Sequence, residues 1–211
     1  FAPDFNQVAK YADEYMPINA GQDGAWWMAV NHVILKECHH DRQVPYFHEY
    51  TKQYTDSPFL VELHQDGDHY EAGQLLRAGR LKPYEDQENG EWKFLMWDTK
   101  DGKPKMPMGA MGHRHATEQT GQWNLQLNDG VDGSEIDPIL TFLNESDEQV
   151  QVRLDDFGEA KGLLRGVPAK RIKTKDGDVL VTTVYDILMA QFGVPRGLEG
   201  DYPVDYDDED K

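Results

Sequence analysis

The chain has 211 residues, enough for one large domain or two small ones around a buried core. Hydrophobic residues make up 38% and charged residues 28%, the profile of a soluble globular chain, and apolar runs such as 25–30 fall far short of the ~20 residues that cross a bilayer. A formal charge of −18 excludes a nucleic-acid binder, since nothing could neutralise a phosphate backbone; such acidity serves solubility, basic partners or a salty habitat.

In chain order, residues 8–13 place small and apolar side chains at helical spacing and end before the short extended run Met16-Pro17-Ile18. Gly21-Gln22-Asp23-Gly24 then turns the chain, and 25–38 reads as a long helix capped by Asp23. Its apolar set (Trp26, Met28, Ala29, Val30, Val33, Ile34, Leu35) runs nearly all round, which predicts a largely buried helix. A third helix is expected over 44–54, with Tyr46, Phe47, Tyr50 and Tyr54 along one side.

From Pro58 the texture changes. A strand at 59–63, an Asp66-Gly67 turn and a weaker strand at 69–76 come first. Further short strands are expected at 92–98, 123–127, 139–143 and 150–154, separated by Asp101-Gly102, Asp129-Gly130, Asp132-Gly133 and similar breakers. Turn signals at this spacing, without helical patterns for parallel crossovers, predict an antiparallel, loop-rich region over 58–165 that lies at the surface and docks neighbouring domains or subunits. Residues 167–172 and 179–182 flank an Asp176-Gly177 turn as a hairpin. Thr183 opens a helix closed by Gly193, and the acidic tail 201–211 is expected to be disordered.

One cysteine, Cys38, rules out an internal disulfide framework or a thiolate-ligated cluster within this chain. The chain opens Phe1-Ala2-Pro3-Asp4 with no initiator Met and no basic leader, the start expected of a mature fragment or excised segment. The eight histidines fit no ligand signature: His32, His39, His40 and His48 lack H-x-x-x-H spacing, and His113 and His115 merely flank Arg114. No catalytic residue and no metal ligand is therefore assigned. Glycine loops of the G-x-G-x-x-G or G-x-x-x-x-G-K type are also missing. What remains is a strand end at Ala2-Pro3-Asp4 leading to a helix, then Pro17-x-x-x-Gly21-x-Asp23 opening the next helix. In an open α/β sheet this puts Asp4 and Asp23 at the carboxyl edge, where ligands bind.

These blocks, 2–5, 12–13 and 21–25, resemble the nucleotide-binding segment of the molybdopterin oxidoreductases of the dimethyl-sulfoxide-reductase superfamily, where a strand ending in Asp-Pro-Arg is followed by Pro-Gly-Thr-Asp. Residues 27–37, Tyr46-Phe47, 54–61, Trp123-Asn124-Leu125, 181–186 and 193–198 further resemble the alpha subunit of membrane-bound respiratory nitrate reductase, in order along nearly the whole chain. The resemblance implies a mixed α/β fold: residues 1–57 as the helical part of a doubly wound domain for molybdopterin guanine dinucleotide, 58–165 as the insertion, 166–200 as a hairpin and helix returning to that domain, then the tail. It implies a parent enzyme holding bis(molybdopterin guanine dinucleotide) molybdenum and a 4Fe-4S cluster, with neither bound by this segment alone. That parent reduces nitrate to nitrite at the cytoplasmic face of the membrane, with an iron–sulfur beta subunit and a membrane gamma subunit as partners. Cofactor contacts carried over are Ala2, Pro3, Asp4, Phe5 and Asn6 at the strand end, and Gly21, Gln22 and Asp23 at the loop. The sequence departs from the pattern with Ala-Pro-Asp for Asp-Pro-Arg and Gln22 for Thr. The alternatives are a relative acting on perchlorate, selenate or nitrite, and a non-catalytic acidic interaction module.

Overall fold

The computed structural model describes residues 1–108, 127–156 and 159–203. The strand expected at 123–127, His113 and His115, the Trp123-Asn124-Leu125 block and most of the acidic tail lie outside the described residues. The molecule mixes α and β structure around a closed five-stranded barrel in the order β1-β2-β5-β6-β7. Its strands are β1 (Leu60–Asp66), β2 (His69–Leu75), β5 (Glu148–Asp156), β6 (Glu159–Thr174) and β7 (Gly177–Thr183). β3 (Met96–Asp98) and β4 (Lys103–Lys105) pair as a separate ribbon.

Local chemistry sets the two hairpins. Gly67 and Gly177 take positive φ, 62° and 120°, where an L side chain would be strained, and so join β1 to β2 and β6 to β7. Within 58–165 the named strands pair antiparallel except where β2 meets β5, with Tyr70 opposite Val152 and Glu71 opposite Arg153. That parallel pairing and the β1–β7 pairing close the ring. β6 runs unbroken through residue 165, so the boundary expected there falls inside one barrel strand.

Alternation along the strands gives two apolar layers. Leu63, Val152, Val167 and Leu180 meet inside the ring, with Tyr70 packed beside them and Ala190 covering one end. Leu60, Ile172 and Val181 point the other way, onto Leu76, Leu95, Trp97, Met106 and Phe142 from the irregular segments. Fully burying a side chain such as Leu60 is worth about 1.5–3 kcal/mol. The strand expected at 139–143 does not form. Those residues pack as irregular chain, and their backbone groups are satisfied instead by Asp186, Thr141 and Thr183 side chains and the Trp97 carbonyl.

The last helix, α3 (Val184–Gln191), begins as expected: the Thr183 hydroxyl accepts from the Asp186 N–H at 3.0 Å, and Gly193 follows at φ 77°. The first helix departs from expectation in three ways. α1 spans Asp23–Val33 and continues as a π-helical segment, Ile34–Asp41. Its N-cap is Gln22 and not Asp23, and the Gln22 side chain makes no capping hydrogen bond. None of its residues is buried, and Trp27 is 57% exposed, because its apolar faces meet little of the described chain. α2 (Pro45–Tyr54) starts on a proline, whose fixed φ and missing N–H suit a first turn. The helix expected at 8–13 shrinks to one 3-10 turn, Ala9–Tyr11. Among the described residues no helix is long and apolar enough to cross a membrane.

Candidate functional site

An isolated parallel bridge between Ala2 and Pro17 sets the first expected binding block beside the run that leads into the second. The Ala2 N–H donates to the Met16 carbonyl, and the Ile18 N–H donates to the Ala2 carbonyl, each at 3.4 Å. The Tyr15 hydroxyl adds a donation to the same Ala2 carbonyl at 3.0 Å, and Phe5 sits edge-on to Tyr15. Because the pairing is parallel, the chain leaves Ala2 and Pro17 in the same direction, first through Pro3, Asp4 and Phe5, then through Gly21, Gln22 and Asp23.

The first block is partly committed to its own geometry. Ala2 spends its backbone on the bridge, and the Asn6 side-chain oxygen accepts from the Val8 and Ala9 N–H groups at 2.9 and 3.3 Å, an Asx turn that starts the 3-10 turn. Pro3, Asp4 and Phe5 are exposed.

The second block is open. Gly21 takes φ 82°, a conformation that favours glycine, and a Cβ at Gly21 or Gly24 would meet no atom within 4 Å. Asp23 stands in the first turn of α1, exposed, and no hydrogen bond or ion pair among the described residues engages its carboxylate. The free N–H groups of an α-helix start and an uncommitted carboxylate thus face solvent together.

The remaining histidines divide by environment. His39 is buried against His48, Phe47 and Tyr185, and burial, then the neighbouring His48, holds its pKa below the usual 6.5. His32 Nδ1 lies 2.7 Å from the Phe192 carbonyl. Cys38, at intermediate burial, is a free thiol. One cluster escaped the sequence reading: Asp66, His69 and Glu71 bring their ligand atoms within 4.8 Å of one another. The signal was available. The Asp66-Gly67 turn pairs Asp66 with His69, and residues two apart on a strand, such as His69 and Glu71, share a face.

No protein-family model matches the chain. It is 38% identical to the nitrate reductase alpha chain of Bacillus subtilis over 98% of this chain and 17% of that protein. It is 38% identical to the respiratory nitrate reductase 1 alpha chain of Escherichia coli over 93% of this chain and 16% of that protein. The perchlorate reductase subunit alpha of Dechloromonas aromatica is more distant, at 26% over 81% of this chain and 19% of that protein. Likeness along nearly the whole chain puts this sequence in the class of oxidoreductase alpha subunits. More narrowly, the chain belongs to the family of nitrate reductase alpha chains, and it spans about a sixth of the length of the relatives it matches.

Proposed function

We propose that this chain supplies the guanosine-side segment of the cofactor pocket in a molybdenum-dependent respiratory nitrate reductase. The observation that carries the reading is the uncommitted Asp23 carboxylate beside Gly21 at the start of α1. Guanine offers two adjacent donors, N1–H and the N2 amino group, and one carboxylate accepts both. Charge-assisted bonds of this kind are roughly twice as strong as neutral ones. Open space over Gly21 and Gly24 leaves room for a flat base. Gln22 and the backbone around it would border the ribose, while Pro3, Asp4, Phe5 and Asn6 would approach from the neighbouring strand end. When bound, the molybdenum–pterin group supplies the oxygen-atom transfer that takes nitrate to nitrite. This chain's residues only bind and orient it.

The parent enzyme in this reading takes electrons from quinol through an iron–sulfur beta subunit and is held at the cytoplasmic face of the membrane by a gamma subunit. Its catalytic and cluster ligands belong to other parts of the alpha chain, so the segment alone is inactive. Nitrate is favoured over perchlorate as substrate because identity to the nitrate reductases is 38%, against 26% to the perchlorate reductase. The test is an anaerobic, viologen-linked assay of the full-length alpha chain containing this sequence, with nitrate, chlorate and perchlorate in parallel. Turnover of nitrate with the highest kcat/KM supports the reading; a preference for perchlorate, or no oxyanion reduction at all, overturns it.

A further inference from the structure

The tip of the β1–β2 hairpin carries Asp66, His69 and Glu71 on one face, remote in sequence from the blocks discussed above. Asp66 and His69 are direct cross-strand partners, and Glu71 follows His69 on the same side of β2. The imidazole is largely buried, with 17% of the side chain exposed, and its two nitrogens have different surroundings. Nδ1 lies 3.2 Å from an Asp68 carboxylate oxygen. A carboxylate can only accept, so Nδ1 donates, and in the neutral ring Nε2 is the nitrogen that carries the lone pair. Nε2 is buried and has no hydrogen-bond partner among the described residues. The Asp66 carboxylate stands 3.8 Å from it, too far for a hydrogen bond.

A ring nitrogen beside the Asp66 carboxylate, in a cluster that Glu71 completes, with the opposite nitrogen bonded to Asp68, is the arrangement by which proteins orient a metal-binding imidazole. We propose that Asp66, His69 and Glu71 bind one divalent transition-metal cation, with Asp68 positioning the histidine. Ligand atoms around a tetrahedral ion at ~2.1 Å sit roughly 3.4 Å apart. The 4.8 Å spread must therefore narrow by about 1.4 Å when the ion binds. Glu71 also pairs with Arg153 through Oε1, which leaves Oε2 for the ion. Local charge remains favourable, with three carboxylates against that one guanidinium. The nitrogen ligand selects against Mg²⁺ and Ca²⁺, which take oxygen donors, and toward Zn²⁺ or Co²⁺.

His64, opposite Glu71 on β1, supplies an internal control. Its ring lies over Gly73, where an added Cβ would come within 2.2 Å of Nε2, so it is turned to another neighbour. The experiment is titration of the chelator-treated 211-residue chain with Zn²⁺ by calorimetry, and with Co²⁺ by visible absorption. One equivalent should bind, with a Co²⁺ ligand-field band, and excess Mg²⁺ should not displace it. His69→Gln should weaken binding at least tenfold and abolish the band, Asp66→Asn should weaken it several-fold, and His64→Ala should leave it unchanged. Circular dichroism of each variant verifies folding, and Asp66→Asn serves if His69→Gln unfolds. The proposal fails if the wild type binds no stoichiometric ion, if Mg²⁺ competes equally, or if folded His69→Gln or Asp66→Asn binds as the wild type does.

Discussion

Asp186 and Arg196, both buried, form an ion pair at 2.7 Å that joins the start of α3 to the turn beyond its end. The same carboxylate accepts from the Thr141 hydroxyl at 2.5 Å and the Phe142 N–H at 3.0 Å. Residues 181–186 and 193–198, read from sequence as two separate blocks, are therefore one structural unit clamped onto the irregular segment around Phe142. Arg196 sits at φ 51°, a strained position for a side chain larger than glycine's, and this pair holds it there.

Breaking the pair should be costly, because a carboxylate left buried without its cation loses far more than one hydrogen bond. Arg196→Met is expected to destabilise the chain by about 3–5 kcal/mol, and Arg196→Lys by less, since it keeps the charge. Urea unfolding followed by tryptophan fluorescence measures both. A loss under about 1 kcal/mol for Arg196→Met would show that the clamp contributes little.

A second buried cation makes a parallel case. Lys105 is 2% exposed and meets Asp98 at 2.9 Å, Asp101 at 2.7 Å and the Ser134 hydroxyl at 3.0 Å. Burial pushes the Asp98 carboxyl up, but hydrogen bonds from Lys105 and from the Asp137 and Lys100 N–H groups more than offset it, and its pKa is lowered. A depressed carboxylate contributes stability present above its unfolded value of about 3.9 and lost as pH falls through the folded value. Lys105→Met should cost about 3–5 kcal/mol at neutral pH. Its stability should also fall less steeply below pH ~4 than that of the wild type. Parallel acid-titration curves for the two proteins would refute the assignment.

His39 should make the chain sensitive in a milder range. Its pKa is lowered by burial and by His48, whose ring is stacked 5.5 Å away, so the fold favours the neutral imidazole. That contribution is complete above the unfolded pKa of about 6.5 and is lost as pH drops below it. The urea midpoint should therefore decline between neutral pH and pH 5, and His39→Phe should flatten the decline. An equal decline in the variant would assign the effect elsewhere.

Isolated from the rest of an alpha chain, the 211-residue chain should reduce no nitrate with viologen and hold neither molybdenum nor iron at stoichiometric levels. One thiol cannot hold an iron–sulfur cluster, and the proposed guanine contacts would include no metal ligand. Elemental analysis and visible absorption after anaerobic purification decide the matter: molybdenum at one equivalent, or iron with the absorption of an iron–sulfur cluster, would contradict the division of roles.

Much of the fold was written locally. Gly67, Gly177, Thr183 and Gly193 each specify a turn or helix end through backbone conformation or one hydrogen bond, and those features appear where the sequence placed them. Barrel closure was not legible, because the parallel meeting of Tyr70 with Val152 joins distant segments without a local signal. Apolar content also misled at two places. Ile139, Leu140 and Phe142 are buried without being in a strand, and α1 is apolar without being covered. Hydrophobicity records that a side chain avoids water, not which surface shelters it. At the candidate site, Gly21 and Asp23 were readable from spacing and resemblance. The Asp66–His69–Glu71 cluster needed hairpin register, which a search for helical histidine spacing overlooks.

Asp23 carries the sharpest prediction. As a helix N-cap it would be worth about 1 kcal/mol, and Asn would serve equally well. Gln22 occupies that position, and its side chain makes no capping hydrogen bond, so Asp23 is not the N-cap. The remaining structural contribution is a first-turn carboxylate near the helix N-terminus, worth about 0.3–1 kcal/mol. In the 211-residue chain, Asp23→Asn should accordingly shift stability by no more than that. In a full-length nitrate reductase alpha chain carrying this segment, the same change would, under the proposed assignment, replace one acceptor oxygen with a donor facing guanine. Losing a charge-assisted bond costs about 1.5–3 kcal/mol, so nucleotide affinity should fall roughly 10- to 100-fold. Molybdenum content of the purified enzyme should drop with it, while Asp23→Glu, which keeps the charge, should retain more. Unchanged molybdenum content and nitrate turnover in folded Asp23→Asn would falsify the guanine assignment and leave Asp23 as an ordinary first-turn carboxylate.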